Sequence, residues 1–276
     1  MMKRKAKRVI FYFFLTLVAL LYIYPVFLMV INSFKPFKEI LTNVLALPVN
    51  FTFDNFTYVI KKMDYFNLFW NNVTITTIGI LGILVISSMA AYILDRRKTK
   101  YTKLIHSIII IPMLIPFQTI MITLLKEMSI LGLSGSKVGL GIQYWGFGAS
   151  MATFIYYNFM KSIPGEIDES AMMDGATTFT TYSRIIFPIL KPVTATVAVL
   201  DVMWIWNDFL LPLLMVNGSM KSKTLVLAAY NFVGFLNTKW HYALAAMVVA
   251  VLPSIIFFIF LQKYIVDGVV TASVKG

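Results

Sequence analysis

Residues 163–192 read IPGEIDESAMMDGATTFTTYSRIIFPILKP. This is the most polar sizeable segment between two apolar runs, and it reads as two short helices joined at a glycine. Pro164 suits the first turn of a helix, where its missing N–H costs nothing. Glu166, Asp168 and Glu169 then fall at the positive end of the helix dipole. Asp174-Gly175 ends that helix, because glycine takes a left-handed backbone without a Cβ penalty. Thr177 or Thr178 caps a second helix, and Pro188 ends or kinks it. A helix–turn–helix between apolar spans has little purpose unless something docks on it.

The apolar runs on either side set the class. The chain has 276 residues, 59% of them hydrophobic and 13% charged. A soluble domain carries roughly 25% charged residues, so an integral membrane protein is expected. There is no cysteine, which excludes disulfides, thiolate metal sites and cysteine nucleophiles. His106 and His241 lie far apart and fit no metal-ligand spacing; they read as interfacial or helix-contact residues. The net charge of +12 points to basic cytoplasmic loops beside anionic lipid, not to nucleic acid.

Taken in order, residues 1–8 are a basic head. The run Val9–Ile31 is too long for the roughly 7–15 apolar residues of a signal peptide, and no Ala-x-Ala site follows it. It is long enough to cross a bilayer, which takes about 20 residues. Residues 32–67 read as an external loop with a short helix near Phe53–Met63. Further spans are expected over Leu68–Leu94, Leu104–Leu125, Val138–Phe159, Ile189–Val216 and Tyr242–Tyr264. Gly79 and Gly82, then Gly139, Gly141, Gly146 and Gly148, predict close helix packing. Pro112 and Pro116 interrupt the third span, marking either a kink beside a pathway or a plain bend.

The expected fold is therefore all-α and integral to the membrane, with six transmembrane helices. Residues 1–67 form the head, first helix and external loop. Residues 68–264 form a core of five helices carrying the 163–192 loop, and residues 265–276 form a tail. Of the 24 lysines and arginines, 15 lie in the head, the 95–103 loop, the segment around 163–192 and the tail. The positive-inside rule then puts both termini and the 163–192 loop in the cytoplasm.

No phosphate-binding Gly-x-x-x-x-Gly-Lys-Ser/Thr loop, zinc motif or Ser/His/Asp motif occurs. An enzyme reading has no support, and uphill transport would draw its energy from another subunit or an ion gradient. A second informative stretch runs from Trp204 to Pro212. Asp201 and Asp208 lie seven residues apart, two helical turns, which predicts nearly one face, with Asn207 beside Asp208. Ionisable groups in a span usually face a bundle interior or a watery cavity. Tryptophan beside Asn and Asp suits a sugar, with its apolar C–H faces and its hydroxyls. Helix–helix hydrogen bonding or an interfacial tryptophan belt explains the same residues. The Asn-x-Ser/Thr triplets at Asn50, Asn55, Asn72 and Asn217 read as chance matches.

Glu169-Ser170-Ala171, Asp174-Gly175-Ala176, Ile185, Pro188 and Pro192 resemble the signature loop of ABC-importer permeases. That pattern is Glu-Ala-Ala, three residues, Gly, nine residues, then Ile-x-Leu-Pro; here Ser170 and Phe187 replace an Ala and the Leu. Trp206-Asn-Asp-Phe-Leu, Thr224-Leu, Trp240 to Ala246, Pro253, Gln262 and the Val-Lys-Gly end are similar to the maltose-type carbohydrate branch. The resemblance implies a multi-pass subunit of the bacterial cytoplasmic membrane, paired with a second permease. Two ATPase subunits would carry ATP and Mg, this chain having no cofactor. An extracytoplasmic binding protein would deliver the sugar.

The residues' own chemistry and this resemblance together suggest their roles. Glu169 would pair with a basic group on the ATPase or only complement the local helix dipole, an Ala171-Met172 face would seat in a cleft there, and Gly175 would permit the turn and admit the partner's backbone. By the resemblance, Val274, Lys275 and Gly276 would reach the same interface. Asp201, Trp204, Asn207 and Asp208 are the candidate sugar pathway. Two rivals stand beside this reading. One is an ion-coupled secondary transporter using Asp201 and Asp208, although no paired internal repeat of the kind such transporters carry is visible. The other is an ABC permease for a non-sugar solute.

Overall fold

The computed structural model describes residues 2–219, 221–234 and 238–273, and every regular element among them is helical. The chain divides into two compact units, one of Met1–Phe66 with Ala228–Leu252 and the other of Asn67–Leu227 with Pro253–Gly276.

The first unit opens with α1 (Met2–Ser33), α2 (Phe37–Thr42) and α3 (Asp54–Met63). The segment after α1 is held by side chains that satisfy its backbone groups. Lys35 is fully buried, and its Nζ donates to the carbonyls of Asn43 at 3.0 Å and Ala46 at 2.5 Å. The Glu39 carboxylate accepts from the Val49 and Asn50 amides at 2.6 and 3.1 Å. Asn55 Nδ2 donates to the carbonyls of Ser33 and Lys35. The expected external loop is thus an ordered cap, with Phe34 stacked on Phe51 at 4.6 Å.

α4 (Tyr65–Arg96) is unbroken over 32 residues. α5 (Lys100–Ile110) follows a Thr99–Thr102 capping box and passes into a 3₁₀ turn, Ile111–Leu114. α6 (Phe117–Ile130) then leaves at 103° to what precedes it. Pro116 has no N–H to give the Pro112 carbonyl, and its ring crowds it. The expected interruption at Pro112 and Pro116 is present, and it divides the third span into two helices at nearly a right angle.

α7 (Lys137–Met160) packs on α4 through glycines. A Cβ on Gly148 would lie 2.3 Å from Ile83, one on Gly141 2.8 Å from Ile78, and one on Gly82 2.1 Å from the Trp145 ring. Trp145 is fixed there by donating Nε1 to the Ile78 carbonyl at 2.8 Å. Close backbone approach, expected from the glycine spacing, is what holds this pair.

The polar loop contains α8 (Glu166–Met173), α9 (Thr178–Thr181), a π turn over Tyr182–Ile186, and α10 (Phe187–Ile189). α11 (Lys191–Asn207) departs at 75°. The expected fifth span does not run on to Val216. It stops at Asn207, Asp208 is extended (φ −67°, ψ 136°), and α12 (Leu210–Val216) starts afresh. Pro212 explains the stop, since it has no N–H for the Asp208 carbonyl and its ring clashes there. α13 (Leu225–Tyr230) and α14 (Trp240–Ser273) complete the chain. Among the described residues three helices are long and apolar enough to cross a membrane, Lys7–Ser33, Tyr65–Arg96 and Trp240–Lys263, and two bent helix pairs pass the same test, Lys100–Leu114 with Phe117–Ile130 and Thr178–Ile189 with Lys191–Asn207.

Candidate functional site

The polar loop has the expected helix–glycine–helix form. The Ala176 amide donates to the Ala171 carbonyl and the Gly175 amide to Met172, while Gly175 sits at φ +82°. This pair of bonds is a Schellman ending, which calls for glycine. Thr177 caps α9 by accepting from the Thr180 amide at 3.2 Å. Pro188 lies within a three-residue turn just after the π turn, and Ile186, not Ile185, is the fully buried isoleucine.

Glu166, Asp168 and Glu169 all occupy the first turn of α8, but they part company in direction. Asp168 points inward and is 6% exposed. It accepts from the Tyr92 hydroxyl at 2.6 Å and from Arg96 Nε at 2.9 Å. Arg96 also donates to Asp95 at 2.6 Å and to the Ile163 carbonyl at 3.2 Å. Glu169, Ser170 and Asp174 face outward, and Ala176 is half-buried.

Ala171 is buried against its own protein at 6% exposure. The apolar groups turned outward are Met172, Met173 and Phe179, with Met173 at 88% exposure. Beside them lies a groove of about 600 Å³, lined by Arg97, Lys98, Lys161, Glu169, Met172 and Thr178 among others. The loop therefore presents acids and thioethers next to a row of cations, on a helix fastened from behind. The sequence reading missed Asp168, Tyr92 and Arg96.

The 201–212 stretch is arranged differently from its expected single face. Because α11 ends at Asn207, Asp201 and Asp208 do not share a helix. Asp208 accepts from the Leu210 amide at the start of α12 at 3.1 Å, and its other oxygen accepts from the Tyr144 hydroxyl at 2.8 Å. Asn207 donates to the Met203 carbonyl and accepts from Ser254 Oγ on α14 at 3.1 Å. It makes the helix–helix bond that was one of its two readings. Asp201 is 7% exposed, and its Oδ2 has no hydrogen-bond partner among the described residues. Trp204 is the most open of the four, at 42% exposure, and meets Tyr144 edge to face at 5.3 Å. Trp206 is buried between Phe69 and Phe257. Val274, Lys275 and Gly276 lie outside the described residues.

Residues 82–271 match the family model described as "Binding-protein-dependent transport system inner membrane component". The chain belongs to this family. It is a membrane transport protein, and the matched segment takes in both the polar loop and the 201–212 stretch. This permease is 40% identical, over 93% of each chain, to a probable starch degradation products transport system permease protein, AmyC, of Thermoanaerobacterium thermosulfurigenes. It is 34% identical, over 96% of each chain, to the multiple sugar-binding transport system permease protein MsmG of Streptococcus mutans. A solved structure of a bacterial ABC transporter involved in the import of the acidic polysaccharide alginate superposes with a TM-score of 0.78. It covers 94% of this permease and 96% of that chain at 22% identity, a likeness of fold.

Proposed function

We propose that this permease is one of two membrane subunits of an ATP-binding-cassette importer for sugars, most suited to oligosaccharides. It crosses the bacterial cytoplasmic membrane six times with both termini inside. The three long apolar helices, the two bent pairs and α7 supply the six crossings, since the 24 residues of α7 exceed the about 20 that a bilayer needs. The sugar assignment draws on the relatives named for starch products and for multiple sugars.

The observation that carries the reading is α8. Its inward edge is fixed by Asp168 while its outward edge offers Glu169, Met172 and Met173 beside Arg97, Lys98 and Lys161. That is a rigid, mixed-chemistry surface of the kind a soluble partner grips at a small interface. The partner is an ATPase subunit that holds ATP and Mg, one on each permease. An external binding protein delivers the sugar, and this chain has no catalytic residue. ATP-driven closure of the ATPase pair moves the two loops, the helices rock, and the central cavity opens outward.

The test is uptake of labelled malto-oligosaccharides into proteoliposomes holding this permease with its partner subunits and binding protein. Uptake that needs internal ATP and saturates with the binding protein is expected. Uptake driven by a proton or sodium gradient without ATP would overturn the proposal.

A further inference from the structure

α4 is pinned by side chains at both ends, and each end holds a different working part. Ser88, Tyr92 and Arg96 recur every four residues and so form one ridge. Arg96 and Tyr92 hold Asp168 from the first half of the polar loop. Ser88 Oγ and the Tyr182 hydroxyl, 2.7 Å apart, share a hydrogen bond with its second half.

About 36 Å from Arg96 along the helix, Asn72 accepts from the Leu225 amide at 2.9 Å and donates to the Trp206 carbonyl at 3.4 Å. Its neighbour Asn71 donates to the carbonyls of Lys221 and Lys223. The Trp206 carbonyl is two residues from the break at Asp208. No proline or break interrupts α4 between these ends.

An eight-residue helix is not stable alone, and α8 buries only Asp168 and Ala171. Beside the apolar contacts of Ile167 and Ala171, a push or pull on α8 therefore reaches α4 through the Asp168 carboxylate. Its two oxygens are committed to two donors on α4, and both bonds are directional. Adhesion alone would need no such group, since apolar contact supplies it without burying a charge.

We infer that Asp168, Tyr92 and Arg96 are positioning residues that make α4 the rod linking the docking loop to the 204–208 stretch. The inference rests on the importer reading above. Movement of the loop by its partner then shifts the Asn71–Asn72 end, and with it the end of α11.

The test uses the complete importer in proteoliposomes and reads two quantities together, sugar moved and ATP hydrolysed. Asp168→Asn and Tyr92→Phe are compared with wild type. A third variant, Tyr92→Cys with Asp168→Cys, is bridged by a short, reducible bifunctional thiol reagent; this chain has no other cysteine to compete, and the wild-type importer treated alike controls for thiols on its partners. The ATPase is expected to stay bound and active in all three. Sugar moved per ATP should fall about tenfold in Asp168→Asn, within the range usual for coupling between sites. Bridging the cysteine pair should restore it, and reduction should abolish the restoration.

Unchanged sugar per ATP in both single variants overturns the inference, as does a bridged pair no better coupled than an open one. Loss of the ATPase from the variants alone also overturns it, since the residues would then only shape the docking surface. A wild-type assembly without ATPase strikes the importer reading instead.

Discussion

Tyr144 donates its hydroxyl proton to Asp208 Oδ2 across 2.8 Å, tying the middle of α7 to the break between α11 and α12. Tyr144 is fully buried, so its hydroxyl has little access to water in place of Asp208. Removing it leaves a largely desolvated carboxylate oxygen short of a donor, which costs about 1–3 kcal/mol. Tyr144→Phe should lower the midpoint of thermal denaturation in detergent, and Asp208→Asn, which keeps an acceptor, should lower it less. Equal midpoints for wild type and Tyr144→Phe would contradict this account of the break.

The glycine contacts between α4 and α7 give a second prediction. A Cβ at Gly82 would meet the Trp145 ring at 2.1 Å, and that ring is fixed by its bond to the Ile78 carbonyl. Overpacking of this kind costs about 1–3 kcal/mol. Gly82→Ala should therefore destabilise the protein, and Trp145→Leu in the same chain should recover part of the loss. The comparison is a double-mutant cycle of denaturation midpoints. Additive losses would show that the two sites do not touch.

The cap after α1 gives a pH dependence. The Glu39 carboxyl is held below its ordinary value of 4.5, chiefly by the Val49 amide, with partial desolvation opposing and Asn50 and Lys35 adding smaller effects. A depressed carboxyl stabilises the folded cap above its ordinary value, and that contribution fades as pH falls through the lower folded value. Hydrogen exchange at the Val49 and Asn50 amides, corrected for intrinsic rates, should quicken below about pH 4.5. In Glu39→Gln that pH dependence should vanish.

Much of this architecture was legible in the residues. Pro164, Gly175 and Thr177 punctuate the loop through backbone chemistry that is local, and local chemistry survives folding. The glycines of α4 and α7 likewise announced a close approach. The break at Asp208 carried a signal, Pro212 four residues on, but the apolar run through it reads as one span. The 103° turn before Pro116 was legible as a break and not as an angle, because an angle is set by packing.

Asp168 was hidden for a different reason. Three acids in one turn all satisfy the helix dipole, and only the neighbours of α8 decide which one turns inward. Tyr92 and Arg96 lie more than 70 residues away in sequence, in a run that reads as the end of an apolar span. The one available cue was the four-residue spacing of Ser88, Tyr92 and Arg96.

The central claim is that the polar loop docks a separate ATPase at Gly175. Apart from its two chain neighbours, no described residue comes within 4 Å of a Cβ built there, and the backbone sits at φ +82°. A side chain at Gly175 therefore costs only backbone strain, about 1–2 kcal/mol and less for Asp or Asn, unless a partner is in contact. The deciding measurement is a gentle detergent pull-down of the tagged chain from its native membrane, wild type beside Gly175→Asp. The account predicts that a second permease and an ATPase accompany the wild-type chain, and that Gly175→Asp keeps the permease and loses the ATPase. A wild-type chain that emerges folded but alone or as a homo-oligomer, or a Gly175→Asp chain that retains its ATPase in full, would contradict it.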